Sequence, residues 1–163
     1  MKVLLLAAAL ASPAPPRPCL TSAEAEAVAL VAMPEIIRQT GVACAAQLPA
    51  TSLVRRTQSP LLQRYDAEAD RAWPGARAAI VKVTDAQAAA LLGSDYARPL
   101  LTTLIAPLIV GRVAAKDCGT IDQLVMSLEP LPPRNVAGVV VTAIRYLQAR
   151  GERNVAALPL CPA

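Results

Sequence analysis

Apolar residues recur along this chain at the three- and four-residue spacing of a helix, and no stretch alternates apolar and polar as a half-buried strand does. Ile121, Leu124, Val125 and Leu128 fall at i, i+3, i+4 and i+7, and Val136, Val140, Ala143 and Leu147 make one stripe of a last long helix. Pro130 and Pro132-Pro133 break the chain between these two, which predicts a helical hairpin. Val139-Val140-Val141 favours strand locally, but its flanks read as helix. Leu100, Leu101, Leu104, Ile105, Leu108 and Ile109 cover most of a helix circumference, and such a helix belongs in the middle of a bundle.

Punctuation agrees with this periodicity. Thr21-Ser-Ala-Glu24 has the capping-box pattern and opens an Ala-rich helix to about Thr40, with Gly41 suited to the turn that ends it. Thr84-Asp-Ala-Gln87 and Thr120-Ile-Asp-Gln123 repeat the pattern, Ser59-Pro60 reads as N-cap followed by the first helical position, and Gly93 and Gly151 sit where C-terminal caps belong. The expectation is an all-α fold: a small bundle of about six helical segments without internal repeats. At 163 residues the chain is one domain.

The first residues follow a different rule. Met1-Lys2 is a short positive start, Val3 to Ala11 is an unbroken apolar run, and Ala9-Leu10-Ala11 supplies small residues where a signal peptidase reads them. Residues 1–11 are therefore expected to be a signal peptide, 12–18 a flexible Pro-rich leader, and 19–163 the folded domain. Pro16-Arg17-Pro18 before Cys19 is not a lipobox. The apolar block Pro99 to Gly111 rises about 20 Å as a helix, short of the ~30 Å hydrocarbon core, so the chain is not expected to span a membrane once the signal is removed.

Export changes the meaning of the cysteines. Cys19, Cys44, Cys118 and Cys161 contain no C-x-x-C pair, which argues against a metal site and for two disulfides. Cys19 and Cys44 flank the first helix, whose ends are almost 30 Å apart if it is continuous, whereas bridged Cα atoms lie within about 7 Å. The pairing favoured is crossed: Cys19 and Cys44 each bond to Cys118 or Cys161. The alternative joins Cys118 to Cys161 across the hairpin and forces Cys19 onto Cys44.

Composition narrows the chemistry. There is no His, which excludes Ser-His-Asp and Cys-His catalysis and the commonest metal ligand. There is no Phe, and aromatics are 2% of the chain, so the core is built from Leu, Val, Ile and Ala. The net charge of +4 is carried mostly by scattered Arg, with Arg55-Arg56 the one adjacent basic pair, and nucleic-acid binding is not expected. No phosphate loop or dinucleotide pattern is present, and no catalytic residue, cofactor or metal ligand is assigned. In Arg64-Tyr-Asp66-Ala-Glu68-Ala-Asp70-Arg71-Ala-Trp73, Asp66 and Asp70 lie one turn apart and Arg64 faces Glu68; a solvated, ion-paired helix face explains this better than a carboxylate site. Trp73 reads as a core anchor. Glu35 and Arg38 beside Pro34 line a cleft or lie on the surface, Tyr96 and Arg98 form a pocket rim or an exposed first turn, and Asp117 stabilises the start of a helix.

Cys19-Leu20-Thr21 with Glu24-Ala25-Glu26, Cys44, Leu131-Pro132-Pro133 and Leu158-Pro159-Leu160-Cys161-Pro162 together resemble the layout of small exported, disulfide-bridged helical proteins of bacteria that have no assigned function. A looser likeness in layout, without a shared motif, exists to small periplasmic immunity proteins. These resemblances imply a periplasmic or secreted helical protein and carry over no site residue. The leading expectation is a non-enzymatic protein that binds a protein partner in the cell envelope, for which a solid core and an exposed apolar patch would speak. The rivals are a carrier of an apolar small molecule or lipid, which needs an apolar cavity of several hundred Å³, and a carboxylate-dependent enzyme, which needs a cleft where two carboxylates meet an Arg.

Overall fold

A computed structural model describes residues 18–152 and 159–162; the expected signal peptide and nearly all of the Pro-rich leader lie outside the described residues. Six α-helices follow in order: α1 (Ser22–Ala43), α2 (Pro60–Val83), α3 (Ala86–Leu91), α4 (Ala97–Val110), α5 (Cys118–Leu128) and α6 (Pro133–Ala149). Short 3-10 turns cover Leu53–Arg55 and Ala115–Asp117. Among the described residues there is no strand, only a parallel bridge between Leu20 and Leu160.

The central helix is α1, not α4. From Glu24 to Gly41 no residue of α1 is exposed, because α2, α4 and α6 all pack on it. Its Ala25, Ala27, Ala29 and Ala32 allow this, since small side chains let neighbouring axes approach closely. The expectation that Leu-rich α4 fills the middle is overturned: Ala97, Ala106 and Val110 are its buried residues, while Leu100, Leu104 and Leu108 are 48%, 61% and 69% exposed. An apolar circumference fits a central helix, but so does an outer helix with an unpartnered face, and the periodicity is the same for both.

Local signals held where their partners are near in sequence. Thr21 and Glu24 form the capping box, with the Thr21 N–H donating to the Glu24 carboxylate at 2.7 Å. Lys82 of α2 also donates to that carboxylate at 2.6 Å. The Lys82 bond first, and then those from Thr21, pull the Glu24 pKa down to about 2. Ser59 caps α2 ahead of Pro60. Gly151, at φ 76°, ends α6 in a Schellman arrangement, its N–H bonded to the Gln148 carbonyl and that of Glu152 to the Leu147 carbonyl.

Other signals were displaced. Asp85, not Thr84, caps α3, and Thr120 lies inside α5, which begins at Cys118 after a 3-10 turn. Gly41 does not stop α1; the helix runs on to Ala43, and Gly41 is needed where the Val54 carbonyl presses against it. The buried face of α6 is Val136, Ala137 and Val141, with Ala143 and Leu147 exposed. No packed hairpin forms across Pro130 and Pro132: α5 seats on the Leu53–Arg55 turn, and α6 lies on α1 and α2.

The cysteines pair in the crossed sense. Cys19–Cys161 joins the two ends of the domain and Cys44–Cys118 joins the end of α1 to the start of α5, with Cα separations of 4.9 and 5.6 Å. At the first, the Leu20 N–H donates to the Pro159 carbonyl and the Cys161 N–H to the Leu20 carbonyl. At the second, Cys44 and Cys118 pack with Leu48 and Val54 as a small buried cluster.

Candidate functional site

Because α4 lies on α1 between α2 and α6, hollows remain on both of its sides, and they differ in chemistry. The hollow toward α2 is charged, with a volume of about 300 Å³. Pro34 lies on its wall and, lacking an N–H, leaves the helix without one interior bond there. Arg38, one turn further on, donates from one nitrogen to both carboxylate oxygens of Asp66 on α2 at 2.7 and 2.8 Å, and lies 3.8 Å from Glu35. Gln39 donates to the other oxygen of Glu35 at 3.0 Å. Arg98 at the start of α4 pairs with Asp70 of α2. Thus Glu35, Arg38, Asp66 and Arg98, met separately in the sequence, come together.

This is the constellation the enzymatic rival requires: two carboxylates and an Arg in one cleft. Its chemistry is that of a clamp. Asp66 has both oxygens within hydrogen-bond distance of one Arg38 nitrogen. Each pair also joins two helices, Arg38 tying α1 to α2 and Arg98 tying α4 to α2. The polar stretch around Asp66 is otherwise ion-paired both along α2 and across helices. Arg64 does not face Glu68 but reaches Glu129 at 3.1 Å, and Glu68 accepts from Arg71 and from Arg134 of α6. Those bonds, Arg71 first, hold the Glu68 carboxyl below its ordinary range. Trp73 is half-buried on α2, Tyr96 is exposed, and Asp117 accepts the Ala114 N–H.

The hollow toward α6 is a groove of about 160 Å³ in which every lining side chain is apolar. Ala29, Ala32, Met33 and Ile36 of α1 form the floor, Ile105 and Ile109 of α4 one wall, and Val140 and Ile144 of α6 the other. Leu20 and Leu160, held together at the terminal disulfide, close one end. Ile105, Ile109 and Val140 stand in apolar helix stripes of the sequence, but nothing there marks them as walls of a groove. The groove exists because two helices rest on α1 without closing on each other, and periodicity within one helix carries no record of a gap between two others.

Size decides what such a groove can hold. Sites for drug-sized ligands run from roughly 300 to 1,000 Å³. A hollow of about 150 Å³ takes a molecule the size of benzene. One or two apolar side chains presented by another polypeptide match the space; a lipid chain exceeds it.

The chain matches no protein-family model, no curated protein and no solved structure. No single helix among the described residues is long and apolar enough to cross a membrane.

Proposed function

We propose that this is an exported helical protein of the cell envelope that acts without catalysis, by binding a protein partner through the groove between α4 and α6. The observation that carries the reading is the groove itself: open, apolar throughout and sized for anchoring side chains. Exposed apolar surface beside it on α4 and on α6, where Val139 and Tyr146 face outward, supplies the flanking contact such an anchor needs. Two disulfides fit an oxidising compartment, and the N-terminal apolar run followed by Ala9-Leu10-Ala11 supports export to it.

A photo-crosslinking residue at Ile109, in the groove wall, is expected to capture one polypeptide in the native envelope. The same residue at Gln63, on the exposed face of α2, is expected to capture none. Val140→Glu, on the opposite wall, should abolish the Ile109 crosslink while leaving the helical signal and unfolding midpoint unchanged. Equal capture from both positions, or a crosslink indifferent to Val140→Glu, would refute the groove as the site.

The closed end at Leu20 and Leu160 favours a second reading, a small apolar molecule of benzene size held in the same groove. Its signature would be a bound mass of small-molecule size in place of a polypeptide.

A further inference from the structure

A further hollow, of about 110 Å³ and half-enclosed, lies between α5 and the bundle. Met33 and Ile37 of α1, Val136 of α6, and Val125 and Leu128 of α5 line it. The space is held open because α5 is pinned at both ends. Cys118, its first residue, is bridged to Cys44 at the end of α1. At its other end the Glu129 carbonyl and carboxylate accept from Arg64 of α2 at 2.8 and 3.1 Å.

One polar side chain shares this apolar lining. Tyr65 of α2 is 4% exposed, and its hydroxyl has no hydrogen-bond partner among the described residues. Burial pushes its pKa above 10.0 against the pull of Arg64, as befits a hydroxyl kept from water. A phenol can both donate and accept, and a buried one without a partner is costly. Water would pair the hydroxyl but leave the apolar walls wet, whereas a small organic molecule with one oxygen satisfies both. No charged side chain lines the hollow, so an ion entering it would lose its hydration without a counter-charge. A cavity of roughly 150 Å³ takes benzene, so this one takes a molecule of about three or four carbons. We propose that the hollow beneath α5 is a binding site for a small neutral oxygen compound, a short-chain alcohol or ketone, whose oxygen pairs with the Tyr65 hydroxyl. The hollow shares Met33 with the groove but not its other walls, and the inference does not rest on the partner-binding reading.

Titration of the oxidised protein lacking residues 1–11 with isopropanol and with butanone, followed by methyl NMR, tests it. The methyls of Val125, Leu128 and Val136 are expected to shift together and to saturate with a half-point of roughly 1–10 mM, within reach of about four or five non-hydrogen atoms. Isopropylamine, of the same shape as isopropanol but charged, should not bind. Tyr65→Phe keeps the ring and removes the hydroxyl. It is expected to weaken isopropanol about fivefold without lowering the unfolding midpoint, because no bond within the chain is lost. Val125→Phe fills the space and should abolish the saturable shift. Shifts that rise without saturating would mean that the hollow holds water only, and would overturn the site. Unchanged affinity in Tyr65→Phe, equal binding of isopropylamine, or saturation at Ile105, Ile109 and Val140 of the groove instead would overturn it as well. Val140→Glu should leave binding here intact, which keeps failure of the groove distinct from failure of this site.

Discussion

Substituting Gly41 by Ala sets two well-characterised effects against each other. In an ordinary helix interior the change stabilises by about 0.8–1 kcal/mol, through the lower backbone entropy of the unfolded chain and the better helix propensity of Ala. Gly41 is three residues inside the end of α1, and a Cβ placed there would stand 2.1 Å from the Val54 carbonyl oxygen and 2.9 Å from its carbon. Both neighbours are backbone, so a rotamer change cannot relieve the contact. The turn that carries Val54 is held on several sides: Arg55 donates to the Leu48 carbonyl at 2.7 Å, Ser52 to Asp122, and the Cys44–Cys118 bridge packs against Val54 itself. Overpacking against such surroundings costs about 1–3 kcal/mol or more. The net expectation is a loss of about 1–2 kcal/mol, roughly 2–4 °C of Tm per kcal/mol. The internal control is Gly75→Ala in the middle of α2, where the added Cβ meets only the Ala27 methyl at 3.8 Å. That variant should gain about 0.5–1 kcal/mol. Urea denaturation of the two oxidised variants in parallel reads the difference. If Gly41→Ala is as stabilising as Gly75→Ala, the close approach of α1 to the Leu53–Arg55 turn is wrong.

Removing the inner bridge with Cys44→Ala and Cys118→Ala opens a loop of sequence separation 74, for which chain entropy gives about 4 kcal/mol, seen as a lower urea midpoint. Glu24, held at about 2 against an ordinary 4.5 mainly by Lys82, contributes stability that is complete above 4.5 and fades as pH falls toward 2. The gap in midpoint between the parent and Glu24→Gln should therefore shrink on acidification; a gap that widens would contradict the pairing. Burial pushes the Tyr65 phenol above its ordinary 10.0, so the unfolded chain ionises first and stability falls as pH rises past that value. Tyr65→Phe should flatten that alkaline loss, measured from the unfolding midpoint against pH. Arg38→Ala breaks a half-exposed pair and should cost about 0.5–1 kcal/mol, much of it masked by salt; a far larger loss would mean the charged cleft does more than clamp α1 to α2.

What could be read in advance was whatever depends on near neighbours or on simple length. The box at Thr21, the Ser59-Pro60 start and the Gly151 stop are decided within four residues. The crossed disulfides followed from the length of α1, which keeps Cys19 and Cys44 apart. Which helix is central was hidden because α1 carries Glu24, Glu26, Glu35, Arg38 and Gln39, a set that looks like a surface. Several of these instead find partners in the gaps between packed helices, Glu24 on Lys82 and Arg38 on Asp66. Arg64 and Glu68, correctly spaced for a pair on α2, were drawn to Glu129 and Arg134 instead, and no local rule anticipates which distant helix end comes within reach. The groove was hidden for the same reason, being defined by three helices at once.

Native mass spectrometry of the protein, released gently from its own envelope without reductant, tests the central claim most directly. The account predicts a chain lacking residues 1–11, lighter by four hydrogens for two disulfides, and carrying a second, different polypeptide that Val140→Glu removes. A chain that retains residues 1–11, or that carries a lipid-sized mass in the groove, or whose bound polypeptide is indifferent to Val140→Glu, would contradict it.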